Sequence, residues 1–264
     1  MDALIVYVDG IGFWAPGIAD WPSFERALER DDYVVPETTA RPSPAALPPT
    51  ERRRAPEPVL IASEAAGQAC AMAARDASTL ASVFTSTHGD LAITDAMCAT
   101  LAADPRELSP TRFHNSVHNA PAGYWTVAAH CHAPATAISA ERGSFAAGLF
   151  EAALEVAAEG ESVLLGAYDI AAHGPLAEVA PSALPFATAF VLSATHSERS
   201  IARLSLRTTS LATTDATPSS LAPLRGNPMG AQALPLLVAL ARREPATIVI
   251  ASGAGTALAV EVTP

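Results

Sequence analysis

The segment Ala133–Asp169 constrains this chain most. It reads as a short β-rich stretch (Pro134–Ser139), an abrupt Glu141-Arg142-Gly143 turn and an Ala/Gly-rich helix from Phe145 to Ala158 that ends at Gly160. A wholly apolar strand, Ser162–Tyr168, follows. A strand without a polar face is buried on both sides, so the expected architecture is an α/β layered fold with a mixed sheet. A residue at such a strand-to-helix turn stands at the sheet edge and faces the helix N-terminus. Acyl-transfer enzymes use that placement to expose a nucleophile and stabilise an anion.

Other segments fit the same architecture. Leu4–Val8 is a first strand that should close in a glycine turn, Asp9-Gly10-Ile11-Gly12, followed by an aromatic loop carrying Phe13, Trp14, Trp21 and Phe24. Residues 36–58 hold seven prolines and the run Arg52-Arg53-Arg54, which predicts an extended surface connection. Helices are expected over Val59–Ala74, Thr94–Ala103, Ala122–Ala129 and about Pro228–Arg242. Further strands are expected at Leu80–Thr85, Ala187–Leu192, Ile201–Leu206, Thr247–Ala251 and Ala257–Val262, the last two around Gly253-Ala254-Gly255. Length 264 suits one large α/β domain or two small ones; we take residues 1–264 as one domain, with 36–58 as its surface connection.

Composition removes several classes. Hydrophobic residues make up 50% and charged residues 16%, which excludes a disordered chain. All 16 basic residues are arginine, so neither a Schiff-base lysine nor a P-loop lysine exists. A net charge of −11 makes nucleic acid and anionic membrane poor partners. Cys70, Cys98 and Cys131 form no CxxC pair, which favours a reducing, cytoplasmic setting. The six-residue apolar run after Asp2 reads as a strand, not a signal peptide, and no stretch is long enough to insert in a membrane.

The stretch Phe113-His-Asn-Ser-Val-His-Asn-Ala-Pro-Ala-Gly-Tyr-Trp125, followed by Ala133-Pro134 and the strand, resembles the N-terminal half of β-ketoacyl synthases. Asn119-Ala-Pro-Ala-Gly123 matches that family's Asn-x-x-Ala-Gly helix start. The wording is most similar to the chain-length-factor-like subunits of aryl-polyene and xanthomonadin-type pathways. The resemblance spans about residues 80–170. It implies a thiolase-like layered fold, truncated in its C-terminal half, and no cofactor.

It also implies a missing nucleophile. Counted along the family motif from Pro134, the cysteine's position falls on Arg142, or on Glu141 if the register moves by one. The family's C-terminal histidine motifs are absent, since His196 is the only histidine after His173. The resemblance therefore implies a catalytically deficient subunit that pairs with a full-length ketosynthase and meets acyl carrier protein through the complex, a homodimer being the alternative. Thr136–Ser139, including Ile138, would be the strand paired across the two-fold axis. Phe113, His114, His118, Asn119, Trp125, Arg142 and Phe145 would line the interface or acyl tunnel, with Phe113, Trp125 and Phe145 as its end wall.

Competing readings attach to single residues. Cys131 between His130 and His132, or Ser144 at the helix start, could serve an acyltransferase or hydrolase. The bland alternatives are a small buried thiol and a helix cap. His114, His118, His130, His132 and Cys131 have ligand-like spacing, but residues alternating along a strand or turn point apart, and no metal is assigned. Thr85-Ser-Thr-His-Gly-Asp90 reads as a strand-to-helix junction with Asp90 or Thr94 near the helix start. Arg52–Arg54 reads as a solvated run or a contact for an acidic carrier protein.

Overall fold

A computed structural model describes residues 3–215, 217–253 and 255–264. The strands are β1 (Leu4–Trp14), β2 (Ala81–Thr85), β3 (Ala135–Ile138), β4 (Val163–Asp169), β5 (Phe186–Ser193), β6 (Ala202–Thr209), β7 (Ala246–Gly253) and β8 (Thr256–Thr263). They form one sheet in the order β3-β2-β4-β5-β1-β6-β8-β7. β2 pairs in parallel with both β3 and β4, and every other neighbour is antiparallel. The helices are α1 (Trp21–Arg30), α2 (Pro49–Arg54), α3 (Glu57–Ala73), α4 (Leu91–Ala103), α5 (Pro110–Asn115), α6 (Ala120–Ala128), α7 (Ser144–Glu159), α8 (Leu176–Val179) and α9 (Pro228–Arg242). The expected mixed sheet is present. β4 and β5 are buried along their whole length, as their largely apolar character requires.

The expected glycine turn after Val8 is not a turn. β1 continues through Gly10 and Gly12 to Trp14, with a bulge at Asp9 where the register to β5 shifts. One extra residue reverses which face each later side chain takes. Val6, Val8, Ile11 and Phe13 therefore share one core with α7 and α9, while Trp14 joins the core under α3. Gly10 and Gly12 face α3 directly. A Cβ on Gly12 would lie 1.8 Å from the Ala65 carbonyl oxygen, and one on Gly10 would lie 2.2 Å from that of Ala69. These glycines allow helix and strand backbones to touch. The Asp9 carboxylate is buried at the bulge and accepts from Ser193 Oγ (2.6 Å) and Ser200 Oγ (2.8 Å).

The aromatic loop resolves into the end of β1 and helix α1, which Asp20 caps through the Ser23 amide. The proline-rich connection is not wholly extended either, because Pro49–Arg54 within it form α2, with Pro49 at the first helical position, and its last two residues begin α3. Leu47 from this connection packs with Val59, Leu60, Tyr124 and Ala128, which ties it to α3 and α6.

Candidate functional site

The strand-to-helix turn is built at the C-terminal end of β3. Glu141 takes a left-handed backbone (φ 50°), uncommon for a residue with a Cβ and found where surrounding structure enforces it. The enforcement is visible. Ser144 Oγ accepts from the Ala140 amide (2.9 Å) and donates to the Glu141 carbonyl (2.7 Å). Gly143 presses against β7, where a Cβ would sit 2.7 Å from the Ser252 carbonyl oxygen. The Thr85 hydroxyl donates to the Ser144 carbonyl at 2.8 Å, and Ser139 Oγ donates to the Thr87 carbonyl at 2.9 Å. Turn, β2 and α7 are thereby locked together.

The side chains at the turn are Glu141 and Arg142, both exposed. Both line a cavity of about 360 Å³ shared with Thr87, His88, Arg225 and Gln232. Asp169 lies buried beneath it, its Oδ1 accepting from Ser86 Oγ (2.7 Å) and the Thr87 amide (2.8 Å). Burial raises its carboxyl, against those hydrogen bonds. Asn227 donates to the carbonyls of Asp169 (3.1 Å) and Leu184 (2.8 Å) while accepting from the Met229 and Gly230 amides, so one buried side chain joins the ends of β4 and β5 to the start of α9. Sequence reasoning overlooked Asn227, although asparagine followed by proline before an apolar run is a helix-start signal.

The alternative nucleophiles do not meet at this turn. Ser144 is fully buried and both roles of its hydroxyl are used by backbone. Cys131 precedes β3, so it lies at the opposite end of that strand from Glu141, buried with its Sγ 3.3 Å from the Leu80 carbonyl oxygen. Burial pushes the Cys70 thiol up to about 12, and Cys98 stands exposed on α4. The histidines separate as well. His118 Nε2 lies 3.2 Å from the Ser86 carbonyl oxygen, while His114 and His130 line a different cavity. Among the described residues, no three His, Cys, Asp or Glu side chains are placed to hold a metal ion.

Two of the expected interface residues need correction. Trp125 is 1% exposed and Phe145 is fully buried, each inside the chain's own core, so neither can wall a tunnel shared with another subunit. Phe113, by contrast, is 60% exposed, and His114 and Asn119 are exposed beside it. The face they occupy is unusually bare. α4 is strongly apolar (LAITDAMCATLAA), yet only Leu91 in it is buried. Leu101 and Val117 are also exposed. β3, with Thr136 and Ile138 half-buried, is an edge strand, so one side of its backbone is unpaired by the sheet. Asp90, as expected, caps α4 through the Ile93 amide (2.8 Å).

The N-terminal-domain model of β-ketoacyl synthases matches residues 25–247. The chain belongs to this β-ketoacyl synthase family. A comparison with curated proteins returns no match. Among solved structures, the ketosynthase (ApeO) in complex with its chain length factor (ApeC) from Xenorhabdus doucetiae is similar in fold. TM-score is 0.72 at 23% identity, covering 98% of this chain and 99% of that one. The AntDE:AntF assembly, a type II polyketide synthase acyl-carrier protein in complex with its ketosynthase, gives TM-score 0.74 at 15% identity, covering 100% and 99%. A β-ketoacyl synthase from Burkholderia phymatum STM815 gives 0.61 at 14%, covering 90% of this chain and 71% of that one. The fold is thiolase-like, and the chain is shorter than that synthase. No helix among the described residues is long and apolar enough to cross a membrane.

Proposed function

We propose that this β-ketoacyl synthase-family chain is a chain-length-factor-like subunit without condensing activity of its own, which pairs with an active ketosynthase in polyene or fatty-acid-like chain elongation. The observation that carries the reading is the turn before α7, where Ser144 fixes a left-handed Glu141 backbone and the side chains presented are Glu141 and Arg142. Condensation by the family route begins with a thioester on a thiolate. A protonated guanidinium has no lone pair with which to attack, and a carboxylate would form an anhydride instead.

The bare α4–α5 face and the unpaired edge of β3 each support an association surface, because burying exposed apolar side chains is the main gain of association. The chain length factors in the similar assemblies support the choice of a ketosynthase as the partner. An acyl carrier protein would then reach this chain through the pair. The experiment is co-expression with a ketosynthase encoded beside it. A stable 1:1 complex is expected, and repeated failure to co-purify rejects the reading.

A further inference from the structure

The sheet ends at β7 on the side away from β3, and a loop residue closes that edge. Thr214, in the Ser/Thr-rich segment after β6, donates its amide to the Val249 carbonyl (2.8 Å), and its Oγ1 accepts from the Val249 amide (2.8 Å). Both backbone groups that Val249 turns away from β8 are thus occupied. In an antiparallel ladder alternate residues turn the same way, so Thr247 and Ala251 also present an amide and a carbonyl to that side. Among the described residues, no backbone group outside the sheet bonds to either.

The two edges of the sheet are unlike. β3 is four residues long, whereas β7 runs for eight, Ala-Thr-Ile-Val-Ile-Ala-Ser-Gly, with no charge and no proline. Native edges of such length usually carry a lysine, a proline or a bulge that stops another strand from adding. The bulge of β7 lies at its end, between Ala251 and Gly253, and leaves residues 246–251 in regular register. Val249 packs with Ala257 and Ala259 in a small cluster apart from the main core, so an added strand meets no bulky or charged side chain there. The guard comes from the loop instead. It is held by the two Val249 bonds and by the Asp215–Arg225 ion pair (3.0 Å), a solvent-exposed pair of the kind that adds little.

We infer that Thr214 is a removable guard on a further association surface, the β7 edge, and that the strand it keeps out is β7 of a second copy of this chain. An antiparallel pair about a two-fold axis at Val249 sets Thr247 of one copy against Ala251 of the other, and every outward amide finds a carbonyl. That self-match selects a second copy: the two strands are equal in length, uncharged and free of proline, and the pairing closes at two. The inference does not rest on the ketosynthase pairing proposed above.

Light scattering after size exclusion of the full chain, over a dilution series, tests it. The wild-type chain should keep one mass. Thr214→Val with Asp215→Ala, both in the surface loop, should raise that mass about twofold or more as concentration rises. Adding Thr247→Pro or Thr247→Lys, at an exposed edge position, should restore the wild-type value. Hydrogen exchange supplies the second reading. At a dilution where the double variant is unassociated, its Val249 amide should exchange about tenfold faster or more than in the wild type. An unchanged mass, an increase that survives both Thr247 changes, or unchanged exchange at Val249 overturns the guard. Mass is read on this chain alone, so a chain that fails to co-purify with a ketosynthase still decides this inference.

Discussion

The Ser144 hydroxyl donates to the carbonyl of Glu141 at 2.7 Å, closing the turn that holds Glu141 in a left-handed conformation. The same oxygen accepts from the Ala140 amide. Ser144→Ala removes both bonds at a buried position and should lower stability by about 1–3 kcal/mol, read from urea denaturation. A stability loss with no change in acyl labelling fits a structural serine. Loss of an acyl label would mark it as a nucleophile.

The contact between α3 and β1 sets a second expectation. Gly12→Ala drives a Cβ into the Ala65 backbone and should cost at least about 2 kcal/mol. Gly67→Ala, in the same helix but facing open space, should instead gain about 0.5–1 kcal/mol. Opposite shifts in the two melting temperatures check the argument; a tolerated Gly12→Ala contradicts it.

Glu57 and Asp90, at the starts of α3 and α4, both line a small cavity. Burial raises both carboxyls, and the Asp90 charge raises Glu57 further, against Arg41 and His173. The fold thus holds these protons more tightly than the unfolded chain does. Their contribution to stability is complete below the ordinary values of 4.5 and 3.8 and is lost as pH rises through the raised ones. Asp169 acts in the same direction. Glu57→Gln and Asp90→Asn, the latter keeping a capping oxygen, should flatten the decline of urea midpoints as pH rises above those ordinary values. An unchanged slope would contradict the assignment.

The exposed aromatic of α5 tests the partner face. Phe113→Asp should weaken the 1:1 complex with the ketosynthase by about tenfold or more while leaving the isolated chain's stability within about 0.5 kcal/mol. Intact pairing would move the interface elsewhere.

Much of this was legible in the residues. The helix from Ser144 to Glu159 with its Gly160 stop, the apolar β4 and the Asp90 cap carry strong local signals, and they fall where periodicity places them. Gly10 and Gly12 misled because a strand lying against a helix backbone needs glycine as much as a turn does, and that approach is a tertiary fact. The bulge at Asp9 was invisible for the same reason: it depends on the register with β5. Trp125 and Phe145 looked suited to an interface, but helical spacing does not say which of two apolar faces turns inward. The cavity lined by Leu47, His114 and His130 depends on a long connection folding back onto α6, which no local pattern encodes.

Intact-mass analysis of the co-purified complex, after incubation with an acyl thioester donor, tests the central claim most directly. The account predicts one acyl adduct on the ketosynthase and none on this chain. An adduct on this chain, at Cys131, Ser144, Glu141 or elsewhere, would contradict it.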